Sequence, residues 1–224
     1  MGYTTEFKGA FKIEPPLSPE HAAYLRKFSE TRRMKRDAVL AASLPDLLRL
    51  AVGLPVGDEG AFYVGSDSDH GQAPDASVID QNQAPGLPSY GNPLDFDAWS
   101  RQKEAAIADN AQPGLWCQWV PGEDGATLEW DQGEKFSEYV AWIRYLIRNM
   151  LKPWGYSLNG EVSWLGEDAD DRGVIYCCNN EVEAVADRIT NPGPSWGRRS
   201  VACEITLFGQ VVNVADLPDN SHLL

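Results

Sequence analysis

Four carboxylates crowd into five positions of the chain, Glu167, Asp168, Asp170 and Asp171. Oxygen ligands at that density suit a hard divalent cation such as Mg²⁺ or Ca²⁺. The spacing is not that of an EF-hand. Counted from Asp168, Asp170 and Gly173 fit, but Arg172 stands where an Asx is required and Asn179 where the bidentate Glu belongs. The bend is therefore either a looser cation site or a solvated acidic loop, and no other cofactor is expected. Glu129, Glu161 and Glu183 are a second set. Each occupies a polar position in a strand-like segment flanked by aromatics, and carboxylates gathered in an apolar cleft separate in pKa and act as acid and base. On an open strand face the same residues are only solvated. Gly193-Pro194-Ser195-Trp196-Gly197 matches G-x-S-x-G, and Asp216, Asp219 and His222 follow it. The Asn-Pro-Gly-Pro run in front of the serine denies it the buried strand that a nucleophile elbow needs.

Two surfaces point to binding rather than chemistry. Between Arg26 and Arg36 lie Arg26, Lys27, Arg32, Arg33, Lys35 and Arg36 against the single acid Glu30, in a chain of net charge −14. Arg26, Arg32, Arg33 and Arg36 could form a positive patch for a phosphate-bearing or acidic partner; cations at a helix C-terminus also arise from the helix dipole alone. Trp116 and Trp119 fall on opposite faces of one strand-like segment, so both faces must meet something apolar. One takes the helices, and the other is either covered by the insertion described below or left as an aromatic binding surface. Tyr145, on the polar side of the main helix, is a lesser anchor of the same kind.

The strong acidity disfavours wholesale binding to nucleic acid or an anionic membrane. No apolar run approaches the ~20 residues of a membrane span, and a cytoplasmic location is expected. Cys117, Cys177, Cys178 and Cys203 form no C-x-x-C and pair with no histidine, so neither a zinc site nor a disulfide framework is indicated.

These residues need elements to position them. A 3.6-residue period predicts one amphipathic helix over residues 134–151, with Phe136, Tyr139, Val140, Ile143, Ile147 and Met150 on its apolar face and an Asp131-x-x-Glu134 capping box at its start. Residues 3–13 alternate cleanly and predict a strand. Residues 115–131 predict a hairpin, and 158–165, 174–178 and 181–187 predict three further strands, with Asn179-Asn180 as a tight turn. Ser18-Pro19-Glu20 opens a second helix expected to reach Arg36. Residues 37–50 read as helical with a break at Pro45, and 61–64 as a short strand. Residues 66–113 are a loop-rich insertion with one helix over 96–109, and 198–224 a C-terminal extension of the same single domain. The fold expected is α+β: an antiparallel sheet of about five to seven strands with two main helices packed on one face.

Met1 to Phe7 (MGYTTEF), Gly114 to Trp119 (GLWCQW) and Asn159 to Asp168 (NGEVSWLGED) resemble a group of uncharacterised bacterial and phage-borne proteins, over about residues 1–196. The resemblance implies a prokaryotic or viral setting and no mechanism. The residues favour a soluble binding module that engages a protein or small anionic ligand through the basic helix end and the aromatic sheet. Whether the chain is an enzyme stays open. The alternatives are a carboxylate-dependent enzyme, with or without Mg²⁺, working from residues 161–171, and a nucleic-acid binder using residues 26–36. Oligomeric state is not written in the residues.

Overall fold

The computed structural model describes residues 3–65, 74–89, 95–168 and 170–186 and the backbone of 204–207 and 210–213. In chain order the strands are β1 (Thr5–Gly9), β2 (Phe11–Glu14), β3 (Lys35–Arg36), β4 (Val78–Asp80), β5 (Trp119–Pro121), β6 (Thr127–Trp130), β7 (Ser157–Gly166), β8 (Arg172–Cys178), β9 (Glu181–Ala186), β10 (Glu204–Leu207) and β11 (Gln210–Asn213). The helices are α1 (Pro19–Glu30), α2 (Ala38–Ser43), α3 (Leu47–Ala51), α4 (Phe96–Ala108) and α5 (Tyr139–Leu146). Seven strands make one antiparallel sheet in the order β5-β6-β2-β7-β8-β9, with β1 also paired to β7. The α+β class read from the sequence is the one observed.

β1 and β2 are two lengths of one strand. Gly9 faces Val162 and Lys12 faces Asn159, so both lie against β7 in a single unbroken register. The interruption between them is a close approach of backbones. Gly9 has φ +102°, and a Cβ there would meet the Glu161 carbonyl oxygen at 2.9 Å, which only glycine avoids. Along this strand Thr5, Phe7, Phe11 and Ile13 are buried, while Glu6, Lys8, Lys12 and Glu14 are exposed. That alternation defines an inner face covered by helices and an outer face.

α1 starts as its sequence predicts. Ser18 Oγ accepts from the His21 amide at 3.3 Å, Pro19 follows, and Tyr24, Leu25 and Phe28 are buried. It stops at Glu30 rather than at Arg36. Thr31 Oγ1 donates to the Lys27 carbonyl at 2.7 Å, the Arg33 amide goes to the Leu115 carbonyl at 2.8 Å, and Lys35 and Arg36 enter β3. Tertiary partners for the backbone outweigh helix propensity there. Residues 61–64 form no strand either. The Val64 amide donates to Asp46 Oδ2 at 3.1 Å and the Tyr63 amide to the Gly60 carbonyl at 3.0 Å, which takes both out of any ladder.

α5 also starts later than the capping box implied. Asp131 Oδ1 accepts instead from the Gly133 amide at 2.7 Å, making a local turn, and the helix begins at Tyr139 behind a left-handed Glu138 (φ 57°). It buries Trp142, Ile143 and Leu146 and passes into a π turn, Ile147–Leu151, where the Lys152 amide reaches back to the Ile147 carbonyl at 3.0 Å. Beneath α1 and α5 the core is aromatic. The Phe7 ring meets Tyr139 at 4.9 Å, Trp119 and Trp130 at 5.4 Å and Phe136 at 5.8 Å, all edge-on. Such geometry adds to what burial alone supplies.

The described part of the insertion lies on the helical side, not over the outer sheet face as one reading expected. β4 pairs with β3, Asp75 and Ser77 bind Arg36, and α4 lies beside α5. The expected extension over 198–224 falls outside the described residues apart from the backbone of the β10–β11 pair.

Phe7→Ala should cost about 3–5 kcal/mol of stability. Glu161→Ala, on the outer face, should stay within about 0.5 kcal/mol. Guanidinium unfolding midpoints measure both, and equal losses would mean the two faces are wrongly assigned.

Candidate functional site

The basic cluster does not form a patch. Once α1 ends at Glu30 the chain turns inward and takes Arg33 and Arg36 with it, leaving them 2% and 3% exposed. Arg36 pairs with Asp75 at 2.6 Å, and Arg33 lies 4.0 Å above the Phe28 ring. Arg26 stays exposed and donates to the Pro121 and Gly122 carbonyls, while Arg32 donates to Asn82 at 3.1 Å. Four residues read as one binding surface thus serve four separate structural contacts.

The aromatic sheet face is likewise the core face. Trp119 is buried, with its indole N–H on the Tyr139 carbonyl at 2.9 Å. Trp116 precedes β5 and is half-buried. The acidic bend closes on the N-terminus. Asp171 accepts from Tyr3 Oη at 2.7 Å and from Trp164 Nε1 at 3.1 Å, and Glu167 accepts from the Thr4 amide at 2.8 Å. Asp168 and Asp170 remain exposed, and among the described residues no three potential ligands converge on a metal position.

The three glutamates do share a face, as their polar strand positions implied. The registers place them in one row across the sheet, running Val120, Glu129, Ala10, Glu161, Tyr176, Glu183. Each glutamate is separated from the next by an intervening strand, about 10 Å at normal strand spacing. Glu129 and Glu161 are exposed there, while Glu183 is half-buried and its neighbour in the row, Tyr176, is buried. A row so spaced does not make an acid–base pair. Nor do the buried thiols offer a nucleophile: burial pushes Cys117 and Cys177 up to about 12.

The structure instead presents a groove between α4 and α5, a cavity of about 430 Å³. α4 is capped by Asp95, whose Oδ1 accepts from the Ala98 amide at 2.9 Å, yet it contributes no buried residue. It is held by two polar clamps, one at mid-helix and one just past its C-terminus. Lys103 pairs with Glu138 at 2.6 Å, and beyond its C-terminus Asn110 and Asn149 exchange two amide hydrogen bonds of 2.9 Å. Asn110 adopts φ 85° to make that reach, a conformation asparagine tolerates.

Between the clamps, Ile107, Ala108, Ala111 and Pro113 form one wall and Val140, Ala141 and Tyr145 the other. Arg144 on α5 and Arg148 in the π turn that follows it stand one turn apart in the lining, with Glu104 also lining the groove. Arg144 donates to the Val182 carbonyl at 3.0 Å, and among the described residues neither arginine is ion-paired. Arg148 and Asn149 belong to the π turn, an irregularity frequent at functional sites.

Of these residues, only Tyr145 was singled out by sequence reasoning as a binding anchor, and it is buried in the core rather than on the polar side of the helix. Arg144 and Arg148 were legible as the polar face of the helix but carry no motif, because their significance depends on α4, which arrives from a different part of the chain. With fold and groove described, comparison with known proteins adds no relative: no family model, curated protein or solved structure matches the chain.

If α4 is a clamped wall rather than part of the core, Lys103→Ala combined with Asn149→Ala should speed amide exchange across residues 96–108 and leave β7 and β8 protected. The half-buried ion pair accounts for only about 1 kcal/mol of that holding. Hydrogen–deuterium exchange reads the contrast. Equal loss of protection in α4 and the sheet would refute it.

Proposed function

We propose that this chain is a binding protein that seats a small organic anion, with an apolar body and a charged end, between α4 and α5. The observation carrying this reading is the pairing of an apolar-walled groove of about 430 Å³ with two arginines that no described carboxylate neutralises. Small-molecule sites are typically of that size, mostly apolar, with a few charged groups fixing orientation. Glu138, the other acid at the groove besides Glu104, is already neutralised by Lys103. Anions offered to this strongly acidic protein are repelled by most of its surface, so local arginines decide where they dwell.

The readings through the basic helix end, the acidic bend and the glutamate row receive less support. Arg33 and Arg36 have internal work, Glu167 and Asp171 tie down the N-terminal segment, and the glutamates stand a strand apart. A cation-dependent enzyme or a nucleic-acid binder would need groups that these contacts already occupy.

Octanoate, benzoate and phenyl phosphate are suitable probes, titrated calorimetrically. At least one should bind, and Arg144→Glu or Arg148→Glu should each weaken it about tenfold, the scale of one charge-assisted hydrogen bond. Ala141→Trp, which fills the groove from α5, should abolish it. No binding by any probe, or binding indifferent to all three substitutions, would overturn the proposal.

A further inference from the structure

Among the described residues three arginines are buried, and two have a carboxylate beside them. Arg36 has Asp75 at 2.6 Å and Arg49 has Asp46 at 2.9 Å. Arg33, as deeply buried as either, has none among the described residues. Its Nη2 donates to the Ala61 carbonyl at 2.8 Å, its Nε points to Gln112 Oε1 at 3.4 Å, and the Phe28 ring covers one face. Nη1 is buried and meets no protein acceptor. An uncompensated guanidinium in a core is strongly destabilising, and burial accordingly lowers the pKa of Arg33.

A second orphaned donor lies in the same neighbourhood. Trp142 is fully buried and its Nε1–H has no protein acceptor. Both residues pack on Phe28, and both stand against the short segment from Gln112 to Leu115. The Arg33 amide donates to the Leu115 carbonyl at 2.8 Å, and Gln112 Nε2 donates to the carbonyls of Arg33 and Gly114. Trp142 Nε1 is 3.9 Å from the position of the Cβ that Gly114 lacks.

We propose that Arg33 Nη1 and Trp142 Nε1 together bind a small monovalent anion of the halide class, held inside the core between α1 and α5. The two unmet groups are both donors, and no buried side-chain oxygen of the described residues is left without a partner. A bridging water would accept from both donors but would bring two hydrogens needing acceptors of their own. An anion needs only donors and supplies the missing negative charge. Side-on docking of a carboxylate is closed off, because it would use Nε and Nη2, already committed to Gln112 and Ala61. A single-atom anion fits what remains. Neither Arg33 nor Trp142 lines the groove, so the site stands or falls independently of the ligand proposed there.

Two measurements test this. Crystals of the natural chain soaked in bromide should show an anomalous peak within hydrogen-bonding reach of both nitrogens. In melting experiments at constant ionic strength, replacing gluconate with chloride or bromide should raise Tm, by about 3–5 °C per tenfold of anion above its dissociation constant. Arg33→Met should erase the difference between the salts, and Trp142→Phe, which keeps the ring and removes the N–H, should weaken anion binding several-fold. Bromide found only elsewhere, an adventitious ion only, would overturn the proposal. So would identical melting in chloride and gluconate. The crystallographic arm uses the unaltered protein, so it decides the matter even if the Arg33 variant does not fold.

Discussion

The pairing of β7 with the N-terminal strand is the constraint on which the other contacts rest. β7 takes β1 and β2 along one edge and β8 along the other, so its register settles which face of the sheet is inside for six strands at once. A slip of one residue would turn Phe7, Phe11 and Ile13 outward and bring Glu6, Lys8 and Lys12 under the helices. The glycine approach at Gly9 and Glu161 allows no such slip, because a side chain brought to that point would collide with backbone. With the register set, the Phe7 ring has Trp119, Trp130, Phe136 and Tyr139 around it, and α1 and α5 must close over them.

Burying arginines has an electrostatic consequence at the surface. Arg33, Arg36 and Arg49 lie in the interior, so the exterior is more acidic than the composition alone conveys. Two of the three are balanced by Asp75 and Asp46, each a carboxylate brought by a neighbouring loop. Removing such a partner leaves a buried charge uncompensated and is far more damaging than losing a surface pair. On an exterior of this kind, two unpaired arginines one helical turn apart form a local exception, and Arg144 and Arg148 sit where the apolar lining also is.

The sheet was legible because its segments alternate at a period of two, and Asn179-Asn180 marked its turn correctly: both take left-handed φ, 48° and 71°. Which glutamates share a face was legible for the same reason. How far apart they stand was not, because that depends on strand order, which local pattern does not encode. The end of α1 was misread because helix-compatible residues continue to Arg36, while the hydrogen bonds that stop the helix come from Leu115 and Gln83, far along the chain. Burial of Arg33 and Arg36 was invisible for a related reason. Their partners, Phe28 apart, lie in loops whose residues show no periodicity.

The groove depends on an economy between holding and filling. A helix that packed its apolar stripe against α5 would bury side chains and leave no cavity; α4 buries none, and Phe96 is largely exposed. Its position is set by directional contacts, Lys103 to Glu138, Asn110 to Asn149 and the Trp99 indole N–H to the Pro88 carbonyl. Polar clamps of this kind are individually weak at a solvated surface, so α4 belongs to the low-stability end of the molecule, where local opening costs far less than global unfolding. The α5 side is the opposite. Trp142, Ile143 and Leu146 anchor it in the aromatic core, and the π turn is continuous with the buried Met150 and Leu151. One wall is therefore rigid and carries the arginines together with Val140, Ala141 and Tyr145, and the other is compliant and apolar. A ligand entering such a groove has its charge fixed in place and its apolar body enclosed by a helix able to adjust to it.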